Sequence, residues 1–216
     1  DKITDTSGCG LTYEKYNENY EKMIKSVFNN GGFWIARYEA GVSDTTPRTS
    51  SGAITGLTAK SQKDMYPFNY VTCSQAQTLA NAMTPDSSRT SSLMFGIQWD
   101  LVCKFLEGKD GLTVANINQD SKDWGNYADS TFSVTSGKYM IYNQSENKPG
   151  AWNNVPSNYT KPSPGTENWV LLSTGSSGLK KMNIYDFAGN EWEWTLEHAT
   201  TSTSLPCAGR GGNYDD

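Results

Sequence analysis

Apolar positions recur at helical spacing in three places along the chain. Tyr13, Tyr16, Tyr20, Met23, Ile24, Val27 and Phe28 follow the period of an α-helix. Thr12 offers a cap and Gly31-Gly32 a stop, so a helix is predicted over about 13–29 with its tyrosine stripe in the core. Cys73, Ala76, Ala80 and Met83 line one side of a second helix over about 73–83, ended by Thr84-Pro85-Asp86. A third helix follows Leu93-Met94-Phe95-Gly96, buries Trp99, Val102, Cys103 and Leu106, and closes at Gly108. Residues 33–40 read as a strand, and a short β segment is expected near 53–57 within a Ser-, Thr- and Gly-rich loop. Residues 109–183 carry little periodicity, yet so long a structureless loop is unusual in a compact domain. Short strands are therefore expected there, best at 168–172. Residues 1–11 read as a polar arm or linker, and 12–216 as a single domain.

The most informative stretch is 184–195. A turn at Gly189-Asn190 leads into a strand carrying Glu191, Trp192, Glu193 and Trp194. Alternation puts Trp192 and Trp194 on one face and both glutamates on the other. Core packing is the expectation for the indoles, and a polar face or a basic partner for the carboxylates; an acid/base pair is the sharper alternative.

Composition narrows the function classes. The 216 residues include 7 Trp, 12 Tyr and 7 Phe, with 19% charged, which favours a loop-rich folded domain over disorder. A net charge of −5 without a Lys/Arg run argues against a nucleic-acid partner. No apolar run approaches the roughly 18 residues of a membrane span, so no membrane insertion is expected. The chain opens at Asp1, which suggests a longer precursor or an excised piece. Cys9, Cys73, Cys103 and Cys207 allow three pairings between which the sequence does not choose; Cys73 and Cys103 lie on apolar helix faces, so buried thiols are the default. His198 is the single histidine, and no spacing around it supports zinc or a catalytic triad. Asn143-Gln144-Ser145 and Asn158-Tyr159-Thr160 fit the N-glycosylation sequon.

Tyr185-Asp186-Phe187-Ala188-Gly189-Asn190-Glu191-Trp192-Glu193-Trp194-Thr195 resembles the hallmark of formylglycine-generating-enzyme-like (sulfatase-modifying-factor) domains. Arg210-Gly211-Gly212-Asn213-Tyr214 is similar to the arginine-glycine-glycine-serine-aromatic motif that follows it in that family. Residues 33–40 are similar to the family's opening strand, and residues 93–100 match its third-helix start loosely, with Leu-Met-Phe-Gly in place of Leu-Pro-Thr-Glu. The resemblance implies an α+β, C-type-lectin-like fold, loop-rich, with two or three helices and short antiparallel strands. It also implies that final C-terminal strands are missing here. In its enzyme branch a copper-binding cysteine stands four residues after the second glycine. Here that place is Asp216, and a carboxylate does not supply the soft thiolate that holds Cu(I).

The resemblance fits better the variable proteins of diversity-generating retroelements, binders carried by phages, prophages and bacteria. Their mutagenesis targets adenines, often in asparagine codons, from which Tyr, Asp and His are reached. Asn213, Tyr214, Asp215 and Asp216 all belong to that set and are the expected ligand-binding residues. Gly189, Asn190, Trp192, Glu193, Trp194, Arg210, Gly211 and Gly212 are the expected structural motif, with Arg210 pairing Glu193 or Glu191. The expected function is non-enzymatic binding of a protein or glycan ligand on a cell surface, from a virion or bacterial surface. The alternatives are a formylglycine-generating or sulfoxide-synthase-type oxidoreductase and a fixed carbohydrate-binding adhesin. No cofactor is expected; calcium near residues 186–193 is the one candidate, implied by the enzyme branch.

Overall fold

A computed structural model describes residues 7–43, 46–84, 86–118, 123–162, 169–176, 180–199 and 205–216. Its helices begin where side chains satisfy the first backbone donors. In α1 (Tyr13–Asn30) the Thr12 hydroxyl accepts from the Lys15 amide at 3.3 Å, and Gly31 ends the helix in the left-handed region at φ 76°. In α2 (Cys73–Asn81) Thr72 and Gln75 form a reciprocal capping box. Gln98 reaches back to the Phe95 amide at the start of α3 (Gly96–Asp110), which runs past Gly108 to a left-handed Gly111. Thr113 and Asn116 exchange the same bonds before α4 (Val114–Asn118), inside the stretch expected to hold strands alone. Among the described residues four α-helices stand where two or three were expected.

The strands are short and antiparallel, as the resemblance implied: the fold is mixed α+β. β1 (Ala40–Val42) lies between β2 (Ala59–Ser61) and β3 (Tyr66–Pro67). β4 (Ser133–Val134) pairs with β7 (Tyr159–Thr160), while β5 (Lys138–Asn143) lies between β6 (Lys148–Asn154) and β8 (Val170–Leu172). β9 (Lys180–Lys181) pairs with β10 (Ile184–Tyr185), and β11 (Glu193–His198) with β12 (Cys207–Arg210). Asn168, part of the expected strand that became β8, lies outside the described residues, as do residues 1–6 of the expected arm.

Three local expectations are corrected. Residues 8–11 are not a free arm: Cys9 and Leu11 are buried beside Tyr16, Phe95, Leu196 and Cys207. Residues 33–39 are irregular, because Phe33 and Ile35 pack on the Trp99–Phe187 cluster while pairing starts only at Ala40. No strand forms at 53–57; Ile54 and Leu57 pack under a turn, and the pairing partner of β1 is 59–61. In α1 the buried face is Tyr16, Asn19 and Met23, with Phe28 exposed.

Candidate functional site

The Gly189-Asn190 turn is the junction of the molecule. Asp186, Gly189 and Asn190 all have positive φ (57°, 70° and 67°). A Cβ on Gly189 would stand well inside van der Waals contact with the backbone of Asn126, so the parallel bridge between them requires glycine. The Asn190 side chain is fully enclosed. Its Oδ1 accepts from the Leu172 amide at 3.0 Å and from Asn126 Nδ2 at 2.9 Å; its Nδ2 donates to Leu172 O at 3.2 Å and to Glu39 Oε1. The second motif closes on the first. Gly189 N donates to Gly211 O at 2.7 Å, Tyr214 N to Asn190 O at 3.1 Å, and the Tyr127 hydroxyl to Gly211 O at 2.6 Å. Gly211 and Gly212 take φ of 91° and 71°, as a turn this tight requires.

Beside this junction opens a cleft of about 990 Å³. Tyr70, Phe68, Trp194 and Met94 form part of its wall, and Glu39, Glu191 and Glu193 also line it. Trp34 is 98% exposed and Trp192 58% exposed, and both line the opening. Asn69 Nδ2 donates to Glu191 Oε1 at 3.0 Å, whereas Glu193 Oε2 is enclosed without a hydrogen-bond partner. Burial pushes the Glu191 carboxyl up to about 7 and, with the nearby Asp186, that of Glu193 to about 8. Asp186 is raised to about 7 by burial, against the bond its Oδ2 accepts from Gly175 N at 2.6 Å. Glu39 is raised well above the usual range by burial and by the Asp186, Glu191 and Glu193 charges.

The expected tryptophan pairing is corrected. β11 begins at Glu193, so Trp192 stands before the strand and turns outward, while Trp194 packs into the core and its indole donates to Val71 O at 3.0 Å. Glu193 is the neighbour of Arg210 across the strands, yet Arg210 does not pair with Glu193 or Glu191. Its guanidinium binds Glu197, with Nε to Oε2 at 2.9 Å, and approaches Asp100 at 3.9 Å. The two candidate partners sit in the carboxylate-lined cleft instead.

The expected ligand-binding residues divide. Tyr214 is a core residue, 8% exposed and packed on Met140 and Leu171. Asn213 and Asp215 are half-buried; Asp216 is exposed, and its Oδ2 accepts from Trp192 Nε1 at 2.8 Å and from Asn213 N at 3.2 Å. The tail thus holds a cleft-lining indole in place. Sequence reasoning missed Trp34, Glu39, Asn69 and Asn126. Strand alternation could have turned Trp34 outward, opposite Phe33 and Ile35; the other three are brought in by residues 64 to 151 positions away.

Among the described residues no three or more His, Cys, Asp or Glu side chains are arranged to hold a metal ion, near residues 186–193 or elsewhere. Cys73 and Cys207 are buried thiols in hydrogen-bonding contact, and Cys103 is half-buried in the wall of a second cavity of about 450 Å³ beside Arg210. Among the described residues no helix is long and apolar enough to cross a membrane. No protein-family model, curated protein or solved structure matches the chain.

Proposed function

We propose that the chain is a non-enzymatic ligand-binding domain, a variable protein of the diversity-generating-retroelement type on a C-type-lectin-like scaffold, binding a protein or glycan ligand on a cell surface. The observation that carries this reading is the pair of exposed indoles, Trp34 and Trp192, lining a cleft of about 990 Å³. An indole 98% exposed contributes nothing to the core, and aromatic groups at the edge of a concave site are what recognition surfaces use. The hydrogen bond from Trp192 to Asp216, itself held by the Asn213 amide, gives the end of the tail a role in setting the pose of that indole. A frame locked at Asn190 lets adjoining loop residues vary without loss of the fold. The proposed setting is a virion or bacterial surface.

The test is binding of the purified chain to glycan arrays and to panels of bacterial cells, for the parent, Trp34→Ala, Trp192→Ala and the double variant. The expected result is saturable binding, weakened at least tenfold by each substitution with an unchanged circular dichroism spectrum. Undiminished binding by the double variant would remove the cleft from the reading. Absence of binding to every surface, together with substrate turnover, would return the assignment to an oxidoreductase.

A further inference from the structure

The cleft pairs aromatic rings with carboxylates and, among the described residues, is lined by no Lys, Arg or His. Three glutamates face it: Glu39, whose Oε1 is taken by Asn190; Glu191, held by Asn69; and Glu193, whose Oε2 is enclosed and unpartnered. An enclosed carboxylate oxygen without a donor is costly, and the cost falls away when a cation supplies the missing partner. Arg48 does not supply it. Its guanidinium lies over the Phe68 ring at 5.6 Å and donates to the carbonyls of Asn69 and Tyr70.

We propose that this cleft takes an alkylammonium group, its positive nitrogen set against Glu193 and Glu191 and its methylene or methyl groups against the rings of Trp192 and Tyr70. The proposal rests on the reading of the cleft as a ligand site and names its chemistry. A neutral sugar brings no charge to offset carboxylates buried here, and an anion finds no Lys, Arg or His among the described residues of the cleft. Indole and phenol faces attract cations most strongly where water is excluded, and a buried carboxylate adds the counter-charge.

Burial keeps these carboxyls protonated in large part at physiological pH, with Glu191 ionising at about 7 and Glu193 at about 8. A bound cation favours their ionised form, so binding releases protons and tightens as pH rises from about 6 to about 9. The groups that face this pair and share in its titration are Asp186, Glu39 and Asp215, with the Asn69 amide and the Tyr70 and Tyr214 phenols.

The experiment is tryptophan-fluorescence titration with choline and with N-acetyl-lysine methylamide, against 3,3-dimethylbutan-1-ol, the uncharged carbon isostere of choline. At least one cation is expected to bind saturably, at least tenfold more tightly than the isostere, and more tightly at pH 8.5 than at pH 6. E193Q is expected to lose at least tenfold in cation affinity while keeping its melting temperature at pH 6, where the parent carboxyl is itself protonated. Equal binding of the isostere, or an E193Q variant with parental affinity, would overturn the proposal. So would the absence of any cation binding in a chain that still binds cells through Trp34 and Trp192, a result that leaves the ligand-binding reading standing.

Discussion

Asn190 shows how much one side chain carries. Four hydrogen bonds from a single amide join β8, Glu39 and Asn126, and an amide so placed has no substitute of the same shape with both donor and acceptor. Its neighbour is equally constrained. Gly189→Ala forces a Cβ against Asn126 at a φ that disfavours side chains, and is expected to cost about 3 kcal/mol or more, visible as a large fall in the urea midpoint. A midpoint within error of the parent would show that the bridge is dispensable. The turn itself was legible in the sequence, because Gly-Asn punctuates a change from apolar entry to strand. The partner of Arg210 was not. Adjacency along a motif suggested Glu191 or Glu193, whereas Glu197 and Asp100 are brought to it by the strand pair and by α3.

The first three helices were readable because each carries an apolar period at helical spacing; α4 was not, being five residues long with no buried face. Even so, propensity placed the end of α3 at Gly108, while the left-handed residue that stops it is Gly111. The strands were harder. Runs of two to seven residues are too short to print an alternation, and their pairing is set by distant partners such as β5 with β8. Trp192 was misread for the same reason, since alternation holds only inside a strand and β11 begins one residue later. The segment Cys9–Leu11 looks polar in isolation, yet it is pinned against α2 and the last strands. Burial of Cys9, Cys73 and Cys207 gives a direct check on this packing. In the native protein only Cys103 is expected to react with a maleimide within minutes, the other three needing denaturant, as read by mass spectrometry. Prompt labelling of Cys9 would mean that its segment is detached.

At the scale of the whole molecule, the acidic cluster sets an unusual pH response. Glu39, Asp186, Glu191 and Glu193 all ionise at higher pH in the folded chain than their usual values of about 3.9 for Asp and about 4.3 for Glu. Over that interval the folded state binds more protons than the unfolded one, so stability is fully present below about pH 4.3 from this source and is lost as pH rises through 7 to 8. The melting temperature is expected to be higher at pH 5.5 than at pH 8.5, and E193Q to flatten the difference. A melting temperature that rises with pH would show these carboxyls to be ionised and paired. The junction also has a consequence in time. Tyr16 bonds to Leu196 across 180 residues and Asn190 to Glu39 across 151. Closing such loops is slow, and on the ribosome the Glu39 contact waits for Asn190 and the Tyr16 contact for β11 to emerge. The first helix is therefore made well before its Leu196 partner, with Cys73 and Phe95 at hand to cover part of its tyrosine face in the meantime, an interval in which a holdase would find the rest of that surface open.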